Sequence, residues 1–140
     1  LVALPNNDAG SSEIIEEIKK SGLSWYPSLS TKEFVNVYRN IWAIVGNSSS
    51  GIHESTTFGI PAVNIGTRQQ DRERAKNVID VDYDESEIRQ GIEKALFDES
   101  FRQEASNMKN PYGVGDSSQK IVKLIKSVSL ENIIQKRFYE

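Results

Sequence analysis

The sequence predicts an α/β domain with a doubly wound parallel sheet. Short apolar runs of strand length alternate with longer stretches whose apolar residues recur at helical spacing, and polar loops follow several of those runs. A third observation is the segment Val45-Gly46-Asn47-Ser48-Ser49-Ser50-Gly51-Ile52-His53-Glu54. There an apolar run breaks into a glycine-bounded serine cluster and resumes as a helix with a carboxylate in its first turn.

Val2 to Leu4 reads as the first strand, and Pro5-Asn6-Asn7-Asp8-Ala9-Gly10 as the turn after it. Ile14, Ile15 and Ile18 share one face of a helix from about Ser11 to Ser21, which Gly22 closes. A short strand over Leu23 to Tyr26 leads through Pro27 to a helix from Thr31 to Arg39, where Phe34, Val35 and Tyr38 share a face. Ile41 to Val45 is almost continuously apolar, as expected of a central parallel strand covered on both faces, and Gly46 permits the chain to turn. One or two helical turns beginning near Ser50 or Gly51 end at Gly59, and Pro61 introduces a strand over Ala62 to Ile65. The polar loop Gly66 to Arg72 precedes a last strand, Asn77 to Val81. The order βαβαβαβ implies one parallel sheet with right-handed crossovers.

The remainder is helical. Glu85 to Phe97 carries Ile88, Ile92, Ala95 and Leu96, and a further helix spans Glu99 to Asn107. After the loop Asn110 to Asp116 comes a helix with Ile121, Val122, Leu124, Ile125 and Val128 on one stripe, expected to be buried. Leu130 to Phe138 forms a final amphipathic helix whose apolar face is left for something outside this chain.

At 140 residues the chain suits a single domain, 1–140, with a sizeable core. A net charge of -3, with 17 basic residues scattered, argues against a nucleic-acid groove and against a polybasic membrane patch. Absence of cysteine excludes disulfides, thiolate metal sites and cysteine nucleophiles, and a single His leaves little for a metal. With no run of membrane-span or signal-peptide length, the expectation is a cytoplasmic protein. The chain opens on Leu1, inside an apolar run and without Met, which reads as the later part of a longer protein.

Open parallel sheets bind ligands beyond the carboxyl ends of their strands. Three polar loops follow strands here, so Asn6, Asp8, Ser48, Ser49, Ser50, Gly51, Glu54 and Arg68 are expected to line one crevice. Free N–H groups at a helix start, with the positive dipole end and three hydroxyls, suit an anion. A carboxylate can accept both hydroxyls of a ribose, and an arginine suits a pyrophosphate or a uracil carbonyl. The set describes a nucleoside diphosphate. Serine caps and first-turn carboxylates also occur on helices that bind nothing, so the loop alone leaves both readings open. Arg68 has its own alternative, an ion pair with Asp71 or Glu73.

Dinucleotide binding is disfavoured, because no Gly-x-Gly-x-x-Gly follows a first strand. A hydrolytic serine is disfavoured too, since Ser48 to Ser50 lack the Gly-x-Ser-x-Gly elbow and His53 lies in the same helix. His53 is expected on a polar helix face, and Trp25 and Tyr26 in strand or core packing.

These residues resemble the UDP-N-acetylglucosamine 2-epimerase family, especially its hydrolysing type. The resemblance runs through Pro5-Asn6-Asn7-Asp8-Ala9-Gly10-Ser11, Gly46 to Ile52 with Glu54, Phe58 to Gln69, Asn77-Val78 and Tyr112-Gly113. It continues through Leu124 to Ser127 and Gln135 to Phe138, so it covers essentially the whole chain. It implies the C-terminal, nucleotide-binding half of a fold similar to glycosyltransferase-B, with UDP between two domains. Ser48 and Ser49 would then hold the diphosphate, Glu54 the ribose, and Asn6 and Arg68 further nucleotide or sugar contacts. The family's reaction eliminates UDP to a 2-acetamidoglucal and adds water with inversion at C2. Its acid and base carboxylates lie in segments absent here, so no catalytic residue is assigned to this chain and the chain alone is expected to be inactive.

No cofactor and no metal-binding residue is assigned to this chain. The partners the resemblance implies are UDP or a UDP-sugar and the N-terminal domain of the same enzyme, toward which 116–140 would cross, with homo-oligomerisation left open. Val114 stands where many relatives carry Asp, and the link from Trp25 to Thr31 is short for the family. Alternatives are an epimerase of a UDP-diacetamido-trideoxyhexose, a glycosyltransferase of the same fold, and an interaction module without ligand.

Overall fold

The computed structural model describes residues 1–129 and 131, and the helix expected over Leu130 to Phe138 lies outside them. Its order is β1 (Val2–Ala3), α1 (Ser11–Lys20), β2 (Trp25–Tyr26), α2 (Thr31–Asn40), β3 (Ile44–Gly46), a 3-10 turn (Ser49–Gly51) and α3 (Glu54–Phe58). Then follow β4 (Ala62–Ile65), β5 (Val78–Val81), α4 (Glu85–Phe97), α5 (Glu99–Asn107) and α6 (Ser117–Ser127). Every strand pairing is parallel, which makes this an α/β fold. Among the described residues no helix is long and apolar enough to cross a membrane.

The helix boundaries follow local chemistry. Ser30 and Glu33 form a reciprocal capping box at the start of α2. Asp84 caps α4 through the Glu87 N–H at 3.0 Å, and Asp98 caps α5 through the Phe101 N–H at 2.9 Å. Gly59 ends α3 at φ 65°, a left-handed conformation that costs glycine nothing.

The strands form two sheets instead of one. β1 pairs with β2, and β3, β4 and β5 form a second sheet in that order, so β4 is central and β3 lies at its edge. The strand expected over Ile41 to Val45 is shorter than its apolar run. Ile41 is spent capping α2 through its N–H to the Val37 carbonyl, and Trp42 is exposed. Three ladder residues remain, Ile44 to Gly46, with Val45 exposed on the uncovered side. β4 has the two-sided cover instead, with Ala62, Val63 and Asn64 all buried.

The core sits between this sheet, α3, α4 and α5, and contains Ile52, Ile60, Ala62, Val63, Ala95, Phe101 and Ala105. α4 approaches the sheet at Gly91, where an added Cβ would stand 3.0 Å from Val63 Cγ1 and 3.2 Å from Val81 Cγ1. Asn77 is fully buried beside this core. Its Nδ2 donates to Ser55 Oγ at 2.8 Å and to the Ile60 carbonyl at 2.7 Å, and Thr56 Oγ1 lies 3.2 Å from its Oδ1. One side chain thus ties α3 to the start of β4 and leaves none of those buried polar groups unpaired.

One expected burial is corrected. α6 carries its apolar stripe, yet no residue of it is buried, and Ile125 is 66% exposed. Trp25 and Tyr26 do form a strand, but both are exposed, Trp25 carrying the Lys19 ammonium 5.7 Å from its ring centroid. Periodicity sets which face is apolar; a partner element must still arrive to cover it.

Candidate functional site

The loops that follow β1, β3 and β4 meet. Arg68, after β4, donates from Nη2 to Asp8 Oδ2 at 3.0 Å in the loop after β1. Its Nη1 donates to the Asn47 carbonyl at 3.2 Å in the loop after β3. Gln69 Nε2 donates to that same carbonyl at 2.8 Å. Parallel strands put their carboxyl ends on one edge, and this edge is where the side chains converge. The arginine's ion pair is therefore with Asp8, and neither Asp71 nor Glu73 takes it. Both partners are exposed, so the pair adds little to stability.

The serine cluster folds as a capped 3-10 turn. Ser48 is its N-cap, with Oγ accepting the Ser50 N–H at 3.3 Å. The Gly51 N–H is bonded to the Ser48 carbonyl at 3.0 Å, and the Ile52 and His53 N–H groups both reach the Ser49 carbonyl at 2.9 Å. Among the described residues no acceptor meets the N–H of Ser48 or Ser49. The side chains of the cluster diverge. The Ser50 hydroxyl is engaged by the hydroxyl of Tyr38, and Gly51 is buried against the sheet, its absent Cβ facing Ala62 Cβ and Ile44 Cγ2 at 3.8 Å. Ser48 and Ser49 stay on the accessible side, Ser48 exposed and Ser49 half-buried.

Glu54 opens α3, half-buried, where the helix dipole favours a carboxylate. Among the described residues none donates a hydrogen bond to it. It lies close enough to Tyr38 to act on that hydroxyl, whose pKa is pushed up to about 12, first by burial and then by the Glu54 charge. His53 departs from expectation. It is half-buried, and its ring meets that of Tyr112 with centroids 4.5 Å apart. Tyr112 is held in turn by its hydroxyl to the Glu73 carbonyl, while Asn110 Nδ2 donates to Thr57 Oγ1 at 3.1 Å. The Tyr-Gly loop therefore lies along α3, with Val114 exposed. Asn6 is exposed in the loop after β1 and joins none of the contacts between loops.

Asp8 and Arg68 thus meet at the sheet edge beside the serine loop, with Ser48 and Ser49 on its accessible side, whereas Ser50 and Gly51 serve the packing beneath and Glu54 stands near Tyr38 at the start of α3. Sequence reasoning assigned no role to Asn47, Gln69 or Tyr38. The signal for Gln69 lay next to Arg68, a second long donor on the same short loop. Tyr38 gave none, because an aromatic on an apolar helix face reads as core whether or not its hydroxyl has work.

Parallel strands whose carboxyl-end loops converge on an arginine place the chain in the class of open-sheet α/β domains. Comparison with known proteins sharpens this. The family model described as UDP-N-acetylglucosamine 2-epimerase matches residues 1–126. The UDP-N-acetylglucosamine 2-epimerase of Neisseria meningitidis is 31% identical over 97% of this chain and 37% of its own length. The hydrolyzing UDP-N,N'-diacetylbacillosamine 2-epimerase of Legionella pneumophila is 36% identical over 93% of this chain and 34% of its own length. The hydrolyzing GDP/UDP-N,N'-diacetylbacillosamine 2-epimerase of Campylobacter jejuni is 38% identical over 82% and 29%. The chain belongs to the UDP-N-acetylglucosamine 2-epimerase family, and it spans about a third of the length of the relatives it matches.

Proposed function

We propose that this chain is the UDP-binding, C-terminal domain of a hydrolysing UDP-N-acetylglucosamine 2-epimerase, a cytoplasmic enzyme releasing N-acetylmannosamine and UDP for sialic acid-type synthesis. The observation that supports it best is the convergence of Asp8, Asn47 and Arg68 beside the unpaired Ser48 and Ser49 amides. In this reading those amides and Arg68 take the diphosphate, Arg68 exchanging Asp8 for phosphate oxygens. Glu54 accepts the ribose hydroxyls, and Asn6 contacts nucleotide or sugar. The N-terminal domain supplies the acid and base groups, so this chain binds UDP and turns over nothing by itself.

The test is a thermal shift of the 140-residue chain with UDP. A ligand of the folded state at a hundred times its Kd adds about 2.7 kcal/mol of apparent stability, so a clear rise in Tm is expected, abolished in Glu54→Ala. No rise at millimolar UDP overturns the reading. In the longer protein, glucal formation and free N-acetylmannosamine are expected from UDP-N-acetylglucosamine.

A second reading, epimerisation of a UDP-diacetamido-trideoxyhexose, is favoured by one observation. The two diacetylbacillosamine epimerases are 36% and 38% identical to this chain, against 31% for the N-acetylglucosamine enzyme. Product analysis of the longer protein with each nucleotide sugar separates the two.

A further inference from the structure

Gln69 is buried, only 1% exposed, on the floor of the loop edge. Its Nε2 holds the Asn47 carbonyl at 2.8 Å, and its Oε1 has no partner among the described residues. A buried amide with one end unsatisfied is a poor packing choice, so a donor is being kept there for a purpose. The carbonyl it holds belongs to the same rigid, trans peptide unit as the Ser48 N–H. In such a unit the C=O and N–H point in opposite directions. Anchoring the Asn47 oxygen inward on Gln69 therefore turns the Ser48 N–H outward, to the accessible side.

The support continues behind Gln69. Its own main-chain carbonyl accepts from Arg74 Nη2 at 2.8 Å, and Arg74 Nε pairs with Asp80 Oδ2 at 2.8 Å. Asp80 Oδ1 accepts from Asn64 Nδ2 at 2.7 Å, and Asn64 pairs in register with Gly46, the residue before Asn47. The chain of bonds thus runs from β4 through β5 and the loop after β4, and returns to the serine loop. Arg68 also reaches the Asn47 carbonyl, but from the exposed side, where an anion can draw it away. Gln69 has no such freedom.

We infer that Gln69 is a positioning residue: it fixes the Asn47–Ser48 peptide so that the Ser48 amide faces the diphosphate, and it keeps that orientation when Arg68 moves to the ligand. This deepens the proposed function and rests on it. The role is specific to the phosphate end of a nucleoside diphosphate and leaves the nucleoside end untouched.

The experiment titrates UDP and uridine into the wild-type chain, Gln69→Met and Gln69→Glu, by calorimetry for UDP and by NMR shifts for uridine, with Tm measured for each. Met keeps the length without a donor; Glu keeps the shape but sets an acceptor against a carbonyl. For Q69M the expected result is UDP binding about tenfold weaker, roughly 1.4 kcal/mol, with uridine binding and Tm near wild type. Q69E should be weaker still. Unchanged UDP affinity in Q69M overturns the inference while leaving the nucleotide reading standing. Equal loss of uridine and UDP in a folded Q69M also overturns it, since Gln69 would then be structural. A wild-type chain that ignores UDP sinks the nucleotide reading and this inference together. Should Q69M not fold, the wild type decides by through-hydrogen-bond coupling between Gln69 Nε2 and the Asn47 carbonyl carbon. Persistence of that coupling with UDP bound supports the inference, and its absence overturns it.

Discussion

Helices α1 and α4 carry apolar side chains at the same helical period, yet they end in different surroundings. α4 buries Gly91 and Ala95 against β4 and β5, whereas α1 buries nothing and leaves Ile14 half exposed. The contrast extends to the units around them. The sheet β3-β4-β5 has α3, α4 and α5 closing over it, while β1 and β2 pair through two residues each and no residue of α6 is buried. Amphipathicity is thus a statement about which face could be buried, and among the described residues it is the central unit that buries one. The converging loops straddle this divide, with Asp8 on the sparse side and Asn47 and Arg68 on the packed side.

The comparison breaks if the packed unit tolerates damage. Asn77→Ala removes the donor serving Ser55 Oγ and the Ile60 carbonyl in a fully buried place. It should cost about 3 kcal/mol, lowering Tm by roughly 10 °C in a melt followed by circular dichroism. Gly91→Val drives a side chain into Val63 and Val81 and should cost about 2 kcal/mol in denaturant unfolding, the small gain in helix propensity included. A loss near zero in either variant would mean that the central unit is looser than its burial implies.

A pH titration sharpens the comparison. Tyr38 releases its proton near pH 10 when unfolded and near pH 12 when folded, because burial and then Glu54 disfavour the phenolate. The folded chain then holds a proton that the unfolded chain gives up. Stability is therefore intact below pH 10 and falls as the pH rises toward 12, by an amount on the order of 1 kcal/mol. Tyr38→Phe should remove that decline, seen as a flatter unfolding free energy above pH 10. The smallest effect belongs to the sparse side. Ile125→Ser on α6 should change stability by less than about 0.5 kcal/mol, as exposed substitutions do, and a larger loss would mean that the stripe is covered within the chain.

Much of this was legible beforehand, for identifiable reasons. The helix starts at Thr31, Glu85 and Glu99 were readable because Ser30, Asp84 and Asp98 cap them by local bonds that depend on a few neighbouring residues. Gly59 marked a helix end because the left-handed conformation selects glycine. The meeting of three loops at one edge followed from strand direction. The Arg68–Asp8 pair, the retreat of Ser50 to Tyr38 and the hold of Gln69 on Asn47 were not legible, since their partners stand 60, 12 and 22 positions apart. No local pattern records which of two polar side chains a distant loop will meet.

By itself, the amino-acid order determined the α/β class, the parallel direction of the strands, the caps, and the serine-glycine loop after an apolar run. These rest on short-range sterics and hydrogen bonds that each segment satisfies wherever it lies. Tertiary structure alone decided that β4 is central, that the strands divide into two sheets, and that, among the described residues, nothing buries the stripes of α1 and α6. It decided also that Gln69 is buried under Asn47. Burial is a property of pairs of surfaces, and a surface acquires it when another element reaches it at packing distance.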